Sequence, residues 1–280
     1  MGNGLVAILG GRGMLGTDLA EECARQGIGF AIYDLPEFNI TDAVALNRVA
    51  EKHGAVVNCA AYTNVDRAES EEQLARAVNA EAVGKLGELA AARGSYVLHI
   101  STDFVFDGRL ERPYCESDNP NPVSAYGRTK LAGEEMLRQS GCRHCILRVQ
   151  WTYGRAGDNF VKKILARAAQ GGPLKVVNDQ YGSPTATTEA AKTICSLLAE
   201  RAEGVYHYAA SGYASRFDVA RFIIDKRGLK VELQPCRTSD FPSPARRPLN
   251  SRFDCARIQA ALGRTHEHWQ GPLGRFVETL

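Results

Sequence analysis

Short apolar runs without alternation recur through the first half of the chain. They are Leu5-Val6-Ala7-Ile8-Leu9, Gly29-Phe30-Ala31-Ile32-Tyr33, Ala55-Val56-Val57-Asn58-Cys59, Tyr96-Val97-Leu98-His99-Ile100 and Cys145-Ile146-Leu147-Arg148-Val149. A strand that is apolar on both sides is covered on both faces, as in a parallel sheet between two helical layers. Between the runs, apolar residues recur every three or four positions. Leu15, Leu19 and Cys23 follow the first run, and positions 74, 78, 82, 86 and 89 mark a long helix over about 71–93. The stretch opening at Ser124-Ala125-Tyr126 predicts another helix. Strand and helix in alternation predict an α/β fold, a Rossmann-type doubly wound parallel sheet.

Beyond Val149 the alternation loosens. Helices are expected near 159–170, 187–202 and 215–227, strands near 174–177, 204–208 and 229–233, and a proline-bearing loop from Ser239 to Arg247. Not all of this can extend one parallel sheet. Residues 1–150 are therefore expected to form the dinucleotide-binding domain, which also receives parts of 174–228. Roughly 151–173 and 229–280 should form a small C-terminal substrate lobe.

Composition narrows the classes. The 280 residues are 44% hydrophobic, enough for a substantial core, and the net charge of +2 gives no electrostatic footprint for nucleic acid. No apolar run reaches the ~20 residues of a membrane span. Met1 to Val6 carries no basic-then-apolar leader, and Val6 stands where a myristoylation signal wants Ser or Thr. The eight cysteines mostly sit in apolar runs, and Cys142-x-x-Cys145 has no second pair, so they read as structural. A cytoplasmic protein is expected.

The chemistry begins with Gly10-Gly11-Arg12-Gly13-Met14-Leu15-Gly16, placed between a buried strand and a helix. Gly10 permits the turn, Gly13 lets backbone approach a pyrophosphate, and Gly16 lets helix and strand pack closely. Asp34 ends the second run, eighteen residues after Gly16, where an acid meets adenosine ribose hydroxyls and repels a 2′-phosphate. No Arg or Lys follows it directly, so NADH is favoured over NADPH. The small residues Ala60 and Ala61 leave room for a flat ligand at a strand end. Tyr126 and Lys130, one helical turn apart, pair a phenol with an ammonium that lowers its pKa. Alone, that spacing reads more readily as a half-buried Tyr beside a solvated Lys. Thr102, at the end of the fourth run, can hold a carbonyl toward the phenol and completes a Thr–Tyr–Lys constellation. His99 reads as an ordinary strand residue, and Arg246 and Arg247 as contacts for an anionic substrate or plain surface cations.

These residues resemble the extended short-chain dehydrogenases/reductases, and within them the dTDP-4-dehydrorhamnose reductase family. The specific stretches are Asn58 to Glu69, Ser101 to Gly108, Tyr126 to Glu134, Asp179 to Thr185 and Arg247 to Ser251. The resemblance implies reduction of a 4-keto group on a dTDP-linked 6-deoxy sugar for surface polysaccharide. Thr102, Tyr126 and Lys130 would be catalytic. Gly10, Gly13, Met14, Leu15, Asp34, Asn39, Ile40, Ala60, Ala61, Tyr62 and Thr63 would line NADH or NADPH, together with Tyr126 and Lys130. Thr102, Asp103, Tyr126, Trp151 and Arg247 would touch the sugar nucleotide. Phe104, Asn39 and Gln150 depart from the family pattern. Asp18 and Thr188 stand where some members bind magnesium through glutamates, so no metal is expected. A monomer or homodimer is expected, with no nucleic-acid or membrane partner. The rival readings are a non-catalytic NAD(P)-binding subunit and a nucleotide-sugar epimerase or dehydratase; Phe104 lacks the acid a 4,6-dehydratase would carry there.

Overall fold

A computed structural model describes residues 5–280; the expectations for residues 1–4 lie outside the described residues. Five strands form first: β1 (Val6–Leu9), β2 (Phe30–Tyr33), β3 (Ala55–Asn58), β4 (Tyr96–Thr102) and β5 (Arg143–Val149). With the strand Gly204–Tyr208 they make one six-stranded parallel sheet, ordered β2-β1-β3-β4-β5 and then Gly204–Tyr208. The winding direction reverses between β1 and β3, so a crevice opens at the C-terminal ends of those strands.

Strand alternation sends neighbours to opposite faces. Val6 and Ile8 join a core with Leu19, Cys23, Ala190 and Ile194, while Ala7 and Leu9 join one with Leu46, Leu86 and Leu137. Helix α1 (Met14–Arg25) and the helix Thr187–Glu200 cover the first face. Ala43–Lys52, Ala82–Arg93 and Ala125–Gln139 cover the second. The expected 71–93 helix forms with one widened turn, a π-helical Ala77–Glu81 between Glu72–Arg76 and Ala82–Arg93. Asn79 in that turn is buried, accepts from the Tyr62 N–H at 2.8 Å and donates to Thr129 Oγ1 at 3.1 Å. It ties the loop after β3 to the Tyr126–Lys130 helix.

A third core gathers Tyr153, Ile164, Leu174, Val219, Ile223, Trp269 and Leu273. It joins the helices Phe160–Ala169, Arg216–Lys226 and Gln270–Glu278 to a two-stranded parallel pair, Leu174–Val177 with Leu233–Cys236. Thus 187–208 packs with the main sheet, while 174–177 and 216–226 sit in the third core. The strand expected at 229–233 begins at Leu233 and runs through Pro235. Pro235 lacks an N–H for a ladder, which hides the strand from a sequence reading, and a two-stranded edge tolerates it. Among the described residues no helix is long and apolar enough to cross a membrane.

Candidate active site

The loop from β1 into α1 is shaped by what its glycines omit. Gly10 adopts φ +71°, and a Cβ there would stand 2.7 Å from the Ala60 nitrogen. A Cβ on Gly16 would stand 2.2 Å from the Gly10 carbonyl oxygen, so only glycine lets α1 begin this close to the strand. Gly13 is the N-cap and offers no side chain to the first N–H groups of α1. An uncapped helix N-terminus at a tight glycine turn fits a pyrophosphate. Asp34, at the end of β2, accepts from the Arg12 N–H at 2.7 Å and the Leu35 N–H at 2.8 Å. Its remaining lone pairs are free for ribose hydroxyls. The sequence reading found no cation beside Asp34, but the fold supplies one. Arg12 donates through its side chain to the Leu35 carbonyl at 2.9 Å and to Glu37 at 2.5 Å, at the same spot.

Ser124 caps the next helix by accepting from the Gly127 N–H at 3.2 Å, which places Tyr126 in its first turn and Lys130 one turn on. Thr102 ends β4 and accepts from the Phe104 N–H at 3.2 Å while donating to Asp103 Oδ1 at 3.1 Å. A cavity of about 940 Å³ lies between these elements at the strand ends. Its lining includes Gly10, Gly13, Met14, Leu15, Asp34, Asn39, Ile40, Ala60, Ala61, Tyr62, Thr63, Thr102, Asp103, Tyr126, Lys130, Trp151 and Arg247, so every nominated position faces one space. Arg246 is exposed and does not line it. Arg247 pairs with Asp66 at 2.8 Å across the rim. Asn39 already uses its side-chain oxygen on Thr41, accepting from its N–H at 3.0 Å and its hydroxyl at 2.9 Å.

Two expectations need correction. The sequence reading gives Lys130 the task of lowering the Tyr126 pKa. Instead the phenol is pushed up to about 12, first by burial and further by the Asp103 charge, with only the Thr102 hydroxyl opposing. Lys130 Nζ donates to the Ile100 carbonyl at 2.7 Å and lies 3.3 Å from His99 Nε2. Burial drives the Lys130 pKa down to about 8, against the pull of Glu134. Desolvation of each charged form outweighs neighbouring charge here. His99, read as an ordinary strand residue, is in contact with the lysine.

Arg216 was missed. It is the first residue of its helix, and its guanidinium lies 3.6 Å over the Trp151 ring in the cavity lining. Burial lowers its pKa to about 9, the Asp103 charge opposes this, and no carboxylate lies within 4 Å among the described residues. Asp103 is buried, its pKa raised by that burial, and its Oδ2 has no hydrogen-bond partner. A signal was available in Ser215-Arg216-Phe217-Asp218, a capping box with a cation at N1. A cation there opposes the helix dipole, which needs an outside reason. Trp151 itself stands at φ +46°, a left-handed backbone rare for a tryptophan, which turns the chain as β5 ends.

Comparison with known proteins is consistent along the whole chain. The family model described as RmlD substrate binding domain matches residues 5–280. A dTDP-4-dehydrorhamnose reductase of Sinorhizobium fredii is 35% identical, with 98% of this chain and 97% of that one covered. The crystal structure of a dTDP-4-dehydrorhamnose reductase from Clostridium acetobutylicum superposes with a TM-score of 0.94 at 33% identity, covering 98% of each chain. The Bacillus anthracis dTDP-4-dehydrorhamnose reductase, solved in complex with NADP, gives 0.94 at 32% identity over 99% of each chain.

Proposed function

Since the chain belongs to the dTDP-4-dehydrorhamnose reductase family, we propose that it reduces the 4-keto group of dTDP-4-dehydro-L-rhamnose to give dTDP-L-rhamnose. It is an NAD(P)H-dependent oxidoreductase, and the bound nicotinamide supplies the hydride. Thr102 holds the keto oxygen and Tyr126 gives it a proton as negative charge develops there. A phenol kept protonated to about pH 12 by burial is a stored proton donor throughout the working range. Lys130 holds the nicotinamide ribose and, when charged, favours the phenolate left behind. Gly10, Gly13, Met14 and Leu15 cradle the pyrophosphate; Asp34, Asn39 and Ile40 meet the adenosine end; Ala60 to Thr63 flank the dinucleotide. Asp34 favours NADH slightly, and Arg12 beside it tempers the exclusion of NADPH.

On the sugar-nucleotide side, Trp151 presents its ring, Asp103 accepts from sugar hydroxyls through its free Oδ2, and Arg216 and Arg247 meet the anionic part. The protein acts in the cytoplasm as a monomer or homodimer. The observation that carries the assignment is the convergence of Thr102, Tyr126 and Lys130 on the cavity that the glycine turn opens. The test mixes protein, NADH or NADPH and the 4-keto sugar nucleotide, and follows reduced cofactor by absorbance. Stoichiometric oxidation is expected. Isomerised sugar without cofactor loss would mean an epimerase, and cofactor binding without turnover a non-catalytic subunit.

A further inference from the structure

The buried hydrogen bonds behind Lys130 form a chain with a fixed direction. The Ala60 backbone N–H can only donate, and it reaches Asn58 Oδ1 at 3.1 Å. That orientation leaves the Asn58 amide nitrogen facing His99 Nδ1 at 3.1 Å. An amide NH2 only donates, so Nδ1 must accept. A neutral imidazole has one N–H and one lone pair, which puts the His99 proton on Nε2. Nε2 lies 3.3 Å from Lys130 Nζ, and Nζ reaches the Ile100 carbonyl, which only accepts, at 2.7 Å. To satisfy both neighbours Nζ must accept from His99 and donate to Ile100. An ammonium has no lone pair with which to accept. Asn58, His99 and Lys130 are all buried, so a mismatch is not relieved by bulk solvent.

We propose that in the cofactor-free protein the Asn58–His99 chain favours Lys130 as a neutral amine accepting a hydrogen bond from His99, which makes Asn58 and His99 positioning residues that set when it becomes charged. Protonating Nζ sets two donors against each other at His99. Moving the His99 proton to Nδ1 passes the conflict to Asn58, and turning the Asn58 amide passes it to the Ala60 N–H. Each protonated arrangement therefore contains one donor–donor contact. Among the nearby charged and titratable groups Glu134 favours the ammonium. Glu134, one turn along the lysine's own helix, spends its charge on Arg148 of β5 at 2.6 Å and accepts from Ser101 Oγ of β4 at 2.5 Å. Cys59, after β3, is held as a thiol by burial, its pKa pushed up to about 12. His99 is kept neutral by burial, and Tyr126 keeps its proton. Burial lowers Lys130 itself in the same direction.

The inference deepens the reductase reading, since acidification of the phenol then waits for Lys130 to gain a proton. Its test needs no turnover, so failure of one reading leaves the other standing. Nitrogen-15 NMR of the cofactor-free protein reads the His99 tautomer and the Lys130 titration directly. The expected result is a lysine that titrates near pH 8, in place of its ordinary ~10.4, with the His99 proton on Nε2 once the amine is neutral. A proton on Nδ1 would overturn the proposal. Asn58→Asp reverses the chain, because a carboxylate keeps the Ala60 bond and accepts from His99 Nδ1. In that variant the His99 proton should move to Nδ1 and the Lys130 midpoint should rise by at least ~1 pH unit. A folded Asn58→Asp protein with the His99 proton still on Nε2 would overturn the proposal as well. Should the variant fail to fold, the wild-type tautomer alone decides.

Discussion

One wall of the cavity is mostly backbone and small side chains: the glycine turn, the start of α1, and Ala60 and Ala61. The facing wall is made of large charged and aromatic side chains, Asp103, Trp151, Arg216 and Arg247. The first wall can bind only by close approach and backbone N–H groups, so its chemistry is written in local spacing. The second can bind through side chains delivered from the ends of β4 and β5, from the third core and, for Arg247, from the loop after Asp240. Substitutions should therefore act differently on the two walls: a Cβ added to the first costs the fold, while a side chain removed from the second costs substrate affinity.

The sharpest break is Gly16→Ala. Its Cβ would meet the Gly10 carbonyl oxygen at 2.2 Å and the Gly11 α-carbon at 2.6 Å, backbone that cannot step aside. Stability to urea should fall by ~3 kcal/mol or more, beyond the usual cost of overpacking; a loss confined to cofactor affinity would show that the turn relaxes.

Between the walls stands Lys130, whose folded pKa of about 8 lies below its unfolded value. The unfolded chain then binds more protons between pH 8 and about 10.4, so wild-type stability must rise with pH across that window relative to Lys130→Met. The rise should amount to about 2 kcal/mol from pH 8 to pH 10, measured as the difference between two urea series so that other groups cancel. A flat difference would contradict the burial account.

On the second wall, Arg216→Met should raise KM for the sugar nucleotide about tenfold, the lower range for a hydrogen bond to a charged group, with cofactor Kd unchanged. Equal loss of both affinities would erase the distinction between the walls. The smallest effect belongs to Arg12→Ala, which should shift the ratio of NADH to NADPH affinity toward NADH by about fivefold, the weight of one exposed charge. A shift the other way would mean that Arg12 mainly restrains Asp34.

The same contrast explains what the sequence made legible. Unbroken apolar runs located β1 to β5, and the glycine spacing located the turn, because both depend on neighbours within one element. Tyr126 and Lys130 were placed on one helix face by spacing alone, but not the direction of the lysine, which depends on the Ile100 carbonyl and His99 of another strand. Arg216 reaches the cavity because its helix packs in the third core; its capping box marks an odd cation at N1 but not where the helix packs. Pro235 masked the strand Leu233–Cys236, and Ala256–Leu262 and Gln270–Glu278, both unanticipated, are short helices of which the second carries Gly271, Pro272 and Gly274.

The central claim is that Tyr126 gives a proton to the reduced carbonyl. Single-turnover kinetics of Tyr126→Phe, with NADPH and dTDP-4-dehydro-L-rhamnose both saturating, tests it most directly. Cofactor affinity should be nearly unchanged while the rate of reduced-cofactor oxidation falls by at least ~100-fold, the usual weight of general acid catalysis. A rate like that of the wild type would remove the phenol from the chemistry.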